Sequence, residues 1–520
     1  MPEERKQEVL KLPSLIVFVS SFCLMVLELV AGRLMAPYLG VSLYTWTSII
    51  GIILAGISLG NYLGGRLADQ KLSRQILGST FFLAGISSAA VLYLVPTLGT
   101  VFGKMNLPLA LSTSLFSLVI FFPASMFLGC ITPMVIKFDL KNLEKTGRTV
   151  GKISAMATLG SILGTFATGF FLISFFSTKF VVIGISAVLI FLGILVFGQG
   201  QGKGLLKDKA NIIFSLIFVG SFFLPQTCDK ETNYYCIKAS VTESESEAAQ
   251  GYILKLDHLI HSFVYPGREE ILTYDYEKLY KFLTDYWIND NGKSNFSALF
   301  LGGGGYTLPR YFEKNYLSGN LLVAEIDPGV TNFNYQKLSL NPETKIKTIN
   351  QDARIYLQRL PADQKYDLIL GDAFNDFSVP YHLTTLEFGK VVKEHLAPGG
   401  FYAVNVIDDY QHGKFVSSFV KTLEEIFPYV YLAPLTTDWQ KAHRNTFVVL
   451  ANEKPINEDQ WAAVLRVLEQ GGQYSNMDKA SYLVGKDETQ KFLEEKGAIV
   501  LTDDYVPTDN LLAPVFNYAY

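Results

Sequence analysis

The 520-residue chain carries no excess of positive charge: 44 Lys and Arg stand against 48 Asp and Glu, a net charge of −4. Nor does any basic tract with interleaved aromatics occur, which excludes the usual footprint of a nucleic-acid binder. Its six His and four Cys fall into no cluster with metal-ligand spacing, so no metal is expected. A small-x-small cleavage site is also lacking after the first apolar run. That run is long and is followed by others, so the opening segment with Glu3, Glu4, Arg5, Lys6 and Lys11 is read as retained rather than as a cleaved signal.

What the chain has in abundance is apolar residues, 49% of the total, unevenly spread. Before residue 226 they come in long runs: Leu15 to Leu34, Trp46 to Leu63, Leu77 to Leu98, Leu111 to Met134, Ile153 to Phe175, Val181 to Phe197 and the shorter Ile212 to Leu224. Most reach the roughly 17–25 residues that cross a bilayer as helix, so residues 1–226 are predicted to form a polytopic α-helical membrane domain of about seven helices in a cell (inner) membrane. Lys and Arg gather in the loops holding Arg66, Lys71 and Arg74, then Lys137 to Lys152, then Lys203 to Lys209, which puts those loops and the N-terminus in the cytoplasm. The domain that follows then lies outside if the short seventh run spans, and inside if it does not. Cys23 and Cys130 sit in apolar runs as core residues. Cys228 and Cys236 flank a short polar loop, a spacing open to a disulfide in an oxidising compartment or to two free thiols, and the former favours the outer, periplasmic side. Glu28 and Arg33, in or at the edge of the first run, are ionisable groups at membrane depth and hence functional candidates, or partners in a structural hydrogen bond between helices. The glycines at 51, 56, 60, 64 and 65, and at 151, 160, 164 and 169, read as close helix packing, with a transport path as the alternative.

After the membrane runs the pattern changes to short strands and amphipathic helices. Tyr234 to Val241 and Gly251 to Ile260 read as a strand pair. The stretch from Ala298 to Asp376 then organises the rest. An apolar strand, Ala298-Leu299-Phe300-Leu301, runs into Gly302-Gly303-Gly304-Gly305, a turn whose backbone N–H groups can approach a ligand closely. A second strand ends in Glu325-Ile326-Asp327, about the spacing at which an α/β sheet puts a carboxylate on ribose hydroxyls. Asp352-Ala353 follows the third strand and Asp372 closes the fourth, Tyr366 to Gly371. Ligands of open parallel sheets bind beyond the carboxyl ends of the strands, where all four acidic points fall. Helices are predicted after Leu308, Gly329, Arg354 and Leu383, a further strand over Phe401 to Val406 carrying Asn405, Asp408 and Asp409, and a last hairpin over Tyr429 to Pro434 and Asn445 to Ala451. The negative charge of Asp376, Asp408 and Asp409 at this edge favours cationic ligands.

At Gly302-Gly303-Gly304, Glu325-Ile326-Asp327, Asp352-Ala353, Asp372 and Ala397-Pro398-Gly399-Gly400 the chain resembles the spermidine synthase family, aminopropyltransferases on the methyltransferase-like α/β fold, and more closely its membrane-fused relatives. The resemblance implies a small β-subdomain with linker at 227–290 and a Rossmann-type catalytic domain at 291–520, associating as a homodimer. It implies no prosthetic group, decarboxylated S-adenosylmethionine as co-substrate, and a small di- or polyamine such as putrescine as acceptor. By the same resemblance the glycines, Glu325 (ribose) and Asp352 with Ala353 (adenine) hold the donor. Asp372 is the base that takes a proton from the attacking amine, and His261, Tyr274, Asn375 and Asp376 stand at substrate-contacting places. Where the family's glycine run continues into an aspartate, this chain has Gly305 and Tyr306, and where soluble enzymes carry a second aspartate it has Asn375. The tail Leu501 to Pro507 is similar to the closing motif of the membrane-fused relatives, with a solvated turn as the other reading of Asp503 and Asp504. An S-adenosylmethionine-dependent methyltransferase, and a non-enzymatic transporter or sensor with a nucleoside- or polyamine-binding domain, are the alternatives.

Overall fold

Long apolar runs become helices in the first of the two units into which the chain divides, Met1–Cys236; the second is Ile237–Ala519. The computed structural model describes residues 10, 12–103, 105, 107–140, 143–198, 209–244, 249–316, 319–373, 379–436, 439–470 and 483–517.

The first unit contains α1 (Pro13–Leu39), α2 (Leu43–Lys71), α3 (Arg74–Phe102), α4 (Leu109–Ile120), α5 (Phe122–Asp139), α6 (Thr146–Ala167), α7 (Ile173–Phe175), α8 (Thr178–Gly198) and α9 (Lys209–Ser221). A five-residue π-helical turn, Thr168–Leu172, joins α6 to α7. Among the described residues, α1, α2, α3, the α6–α7 stretch and α8 are long and apolar enough to cross a membrane; α4 and α5, bent by 54°, make a sixth if the pair counts as one span. The 27 residues of α1 extend about 40 Å, more than the roughly 30 Å hydrocarbon core. The 13 described residues of α9 extend about 20 Å, less than that core.

Glycine sets how these helices meet. A Cβ on Gly56, Gly60 or Gly64 of α2 would lie 2.0 Å from Ser125 Oγ, 2.2 Å from the Met126 carbonyl or 2.4 Å from the Cys130 carbonyl of α5. On Gly160 or Gly164 of α6 it would lie 2.2 or 2.7 Å from the Phe18 or Phe22 carbonyl of α1. These are close backbone crossings. Gly51, Gly65, Gly151 and Gly169 meet nothing within 4 Å and do not take part. Phe166, Phe170, Phe171 and Phe175 are exposed, a surface suited to lipid. Arg33 donates to the Thr232 and Asn233 carbonyls, a structural use of that side chain, while Glu28 is half-buried on α1. Cys228 and Cys236 are joined by a disulfide, whereas Cys23 and Cys130 are buried thiols. Within the disulfide loop lies the short strand β1 (Lys230–Glu231), where Glu231 accepts from the Thr178 amide at 2.8 Å and its hydroxyl at 2.6 Å.

The second unit opens with an antiparallel run of β2 (Cys236–Ser244), β3 (Ala249–Leu256) and β4 (Leu259–Val264). The single strand expected over Gly251 to Ile260 is therefore two. The chain turns at Asp257, whose φ of 53° is a left-handed conformation that Asp tolerates better than most residues, so no glycine marks the turn.

After α10 (Asp275–Asn291) come β5 (Phe296–Leu301), α11 (Thr307–Asn315), β6 (Gly319–Ala324), α12 (Pro328–Lys337), β7 (Lys347–Ile349), α13 (Ala353–Arg359), β8 (Tyr366–Gly371), α14 (Leu386–Glu394), β9 (Leu396–Asp408), α15 (Phe415–Glu424), β10 (Tyr429–Pro434) and β11 (Asn445–Asn452). They build a sheet in the order β10-β11-β9-β8-β5-β6-β7. Strands β9 to β7 are parallel and β11 runs antiparallel to both its neighbours. Every residue of β5 except Ser297 is buried, as expected of a parallel strand covered on both faces. Successive strands step outward from β5 to β7, and the chain then crosses back to place β8 on the other side of β5. This reversal makes the β5/β8 junction the switch point at which such sheets bind ligands.

Candidate active site

The glycine turn and Asp372 meet at that junction. Gly302 donates its N–H to the Ala324 carbonyl at 2.9 Å, and Asp372 donates its own to the Leu301 carbonyl at 2.9 Å. Gly302 has φ of 101°, and a Cβ there would sit 2.4 Å from the Asp372 carbonyl oxygen. Both the conformation and the contact demand glycine. The turn is held from two sides: Gly303 donates to Glu325 Oε2 at 2.8 Å, Gly304 to the same oxygen at 3.4 Å, and Gly305 to Ser262 Oγ of β4 at 2.9 Å. Tyr306, fully buried at φ 58°, brings its hydroxyl to Thr331 Oγ1 at 3.0 Å and Thr348 Oγ1 at 3.2 Å.

Glu325 lies at the carboxyl end of β6 and its other oxygen accepts the Asp327 amide at 2.9 Å. Burial raises its pKa, while three N–H donors stabilise its ionised form. Asp352 caps α13 by accepting the Ile355 amide at 3.0 Å and meets His382 Nε2 at 2.7 Å. Burial pushes this carboxyl up, but the bonds from His382 and Ile355 outweigh it and leave it below the usual carboxylate range. Ala353 follows, buried, as the first residue of α13. Arg354, next in line, forms a fork with Asp503 (2.7 Å from Nη1 to Oδ1), and Asp503 also accepts from Thr385 Oγ1 at 2.8 Å. The tail is thus fastened beside Asp352, and Asp503 is not a merely solvated turn.

Asp372 Oδ2 accepts from the Tyr276 hydroxyl at 2.8 Å, and Oδ1 accepts from Asn405 Nδ2 at 3.1 Å. Burial first, and the Asp372 charge next, hold the Tyr276 hydroxyl well above its ordinary pKa, so it remains a donor. Tyr274 does not reach Asp372 in this way: its hydroxyl donates to the Ile260 carbonyl at 2.7 Å, and its ring stacks on Tyr276 with centroids 5.5 Å apart. His261 lies on β4 beside the glycine turn, its Nδ1 3.8 Å from where a Cβ on Gly304 would be. Asn375 and Asp376 lie outside the described residues.

A cleft of about 320 Å³ opens at this junction, lined by Ser262, Glu277, Tyr280, Gly302, Gly303, Thr307 and Asp372 among others. Glu277, which sequence reasoning left without a role, has 3% of its surface exposed. Part of its carboxyl accepts the Tyr274 amide at 3.2 Å, as an N-terminal helix capping residue does. Burial, and then the Asp372 charge, push it up to about 8. Next to this cleft is an apolar one of about 280 Å³, lined by Leu301, Ala373, Val379, Pro380, Leu383 and Tyr402 among others. The arrangement can therefore hold a cationic group against two carboxyls and a flat apolar group close by.

Asp408 and Asp409 come at the carboxyl end of β9 as expected but do not line this cleft. Asp408, fully buried, accepts the Val416 and Asp409 amides at 2.8 Å each and fixes the start of α15. Asp409 turns towards His412 and His443.

No family model matches the chain. A probable polyamine aminopropyl transferase of Bifidobacterium longum is 32% identical over 133 residues, 25% of this chain and 29% of that protein, so the chain spans under a third of that relative's length. The polyamine aminopropyltransferase 2 of Ralstonia nicotianae is 22% identical over 481 residues, 82% of this chain and 85% of its own. Among solved structures, that of a probable spermidine synthase from Corynebacterium glutamicum aligns at 22% identity and a TM-score of 0.45, covering 54% of this chain and 97% of the other. By sequence the chain is thus similar to polyamine aminopropyltransferases over most of its length, with an N-terminal apolar helical region ahead of its α/β domain.

Proposed function

We propose that the protein transfers an aminopropyl group from decarboxylated S-adenosylmethionine to a small di- or polyamine and releases methylthioadenosine. The observation that carries this reading is the Asp372 carboxylate at the β5/β8 switch point, oriented by Tyr276 and Asn405, in one cleft with the glycine turn and Glu277.

The nucleophile is a neutral amine, whose lone pair attacks the methylene carbon next to the sulfonium as the carbon–sulfur bond breaks and the thioether leaves. An alkylammonium with a pKa near 10.4 is mostly protonated at neutral pH, and the product nitrogen carries an extra proton. Asp372 takes that proton and holds the amine in line, uniting base catalysis with positioning. Two of its lone pairs are already engaged by Tyr276 and Asn405, so its orientation is set before substrate arrives. Glu277 and Asp372 together would receive ammonium groups of donor or acceptor. Glu325 would reach the ribose from its place behind the glycine turn, Asp352 would meet the adenine amino group, and the apolar cleft next to Ala373 and Leu383 would take the base. His261 and Tyr274, along with Asn375 and Asp376, are assigned to the amine side. The Cys228–Cys236 bond favours an oxidising compartment and hence an outer location for the domain that starts there, with the apolar helices in a cell membrane.

The test is mass spectrometry of the detergent-purified full chain incubated with intact or decarboxylated S-adenosylmethionine and a panel of amines. An amine heavier by one aminopropyl unit, together with methylthioadenosine, is the expected product. A methylated product with S-adenosylhomocysteine, or binding without turnover, would overturn the reading.

A further inference from the structure

Outside this cleft, three side chains from distant parts of the sequence converge. Asp409 follows β9 and is fully buried; His412 lies three residues on; His443 precedes β11, whose Asn445 pairs with Asp408 and so carries the loop before it to Asp409. Asp409 Oδ2 stands 3.0 Å from His412 Nδ1 and 3.4 Å from His443 Nδ1, and the three ligand atoms all lie within 4.8 Å of one another. Asp409 Oδ1 is occupied by the Gln411 amide at 2.8 Å and the His412 amide at 3.0 Å, which leaves Oδ2 aimed at the imidazoles.

We propose that Asp409, His412 and His443 bind one divalent transition-metal ion of the zinc class. Metal–ligand bonds of about 2.0–2.2 Å in a tetrahedral set hold their donor atoms roughly 3.3–3.5 Å apart, close to the two separations found. Two imidazoles and one carboxylate suit zinc or cobalt rather than magnesium or calcium, which prefer oxygen. The buried carboxylate is fixed by backbone donors, as ligands of metal sites are. The histidines, 46% and 49% exposed at their side chains, leave a way in for the ion and a fourth position for water. Nearby Lys496 donates to the Gln411 carbonyl, so a cation held by Asp409 need not displace it. The bound ion would pin the loop after β9 to the loop before β11, on the strand whose Asn405 holds Asp372. No sequence spacing reveals the set, because His412 and His443 lie 31 positions apart.

The full chain, purified on a tag without histidine and stripped with chelator, is titrated with zinc chloride by calorimetry and with cobalt(II) by visible absorption. One equivalent per chain with tetrahedral cobalt bands is expected, weakened at least about tenfold in His412→Ala and in His443→Ala. Both exposed sites tolerate alanine, and an unchanged circular dichroism spectrum without metal verifies the fold. No stoichiometric binding by the parent chain, or binding by both variants as tight as the parent's, would leave a hydrogen-bonded His–Asp–His array and overturn the proposal.

Discussion

Glu277→Gln is the perturbation that most directly tests how the cleft is charged. Glu277 is buried, and its rise from 4.5 to about 8 comes from burial and then from Asp372. Folding therefore favours its neutral form. The stability tied to that form is complete below the ordinary pKa and is lost as pH rises through about 8. Over the interval the folded state holds up to one proton more than the unfolded chain, which lowers stability by roughly a factor of ten in the folding equilibrium per pH unit, to a limit of about 5 kcal/mol. Glutamine keeps the shape and cannot ionise. The difference in stability between variant and parent should then grow in the variant's favour by about 3 kcal/mol between pH 5 and 8, several degrees in thermal midpoint. Asp408, pushed up to about 7 by burial, gives both proteins a common slope that cancels in the comparison. The same logic governs ligand binding. An ammonium placed between Glu277 and Asp372 favours the ionised form, so donor binding near pH 7.5 should release up to one proton. Calorimetry in buffers of different ionisation enthalpy reads that proton, and Glu277→Gln should release none while binding donor or amine more weakly. Parallel pH–stability profiles for the two proteins, with equal proton release, would refute the reasoning.

Asp372→Asn should lower turnover at least about a hundredfold, a far larger effect than the weakening of donor binding that calorimetry reads from the lost charge beside Glu277; near-normal activity would remove Asp372 as the base. Tyr276→Phe deletes a donor to that carboxylate, a loss of about 1.5–3 kcal/mol, and should reduce kcat about tenfold or more, whereas Tyr274→Phe should leave kcat near the parent value. A reversed order in steady-state assays would return the role to Tyr274. Gly302→Ala combines a φ of 101° with a contact of 2.4 Å to backbone and should destabilise the α/β unit by at least about 2 kcal/mol, read as a lower thermal midpoint; a midpoint equal to the parent's would mean the turn can relax.

Features set by local chemistry were legible without coordinates. A buried strand followed by glycines, and acidic residues at strand ends, are short-range patterns, and the parallel sheet then brings those ends together whatever lies between. The site's inner lining was not so legible. Tyr274 and Tyr276 differ by two positions at the start of α10, a rotation of about 200° around a helix, and a resemblance alone does not tell which of the two hydroxyls faces Asp372. Glu277 looks like an ordinary capping residue in sequence, and only burial beside Asp372 makes it a candidate ligand. The strand β4 was hidden because Asp257 turns the chain where a glycine or asparagine would have marked it. Asp408 and Asp409, adjacent in sequence, point to different tasks because one is claimed by amides of α15 and the other by histidines.

The fork between Arg354 and Asp503 joins residues 149 positions apart. A ribosome has therefore made the glycine turn, Asp352 and Asp372 long before it makes the residue that fastens Arg354 beside Asp352. The apolar helices come first and can enter lipid while the α/β sheet is still being translated, and a nascent chain that stops short of Asp503 lacks the clasp. Order of synthesis thus makes closure around Asp352 a late event, and a truncation anywhere before residue 503 should be felt at Asp352, not only at the tail.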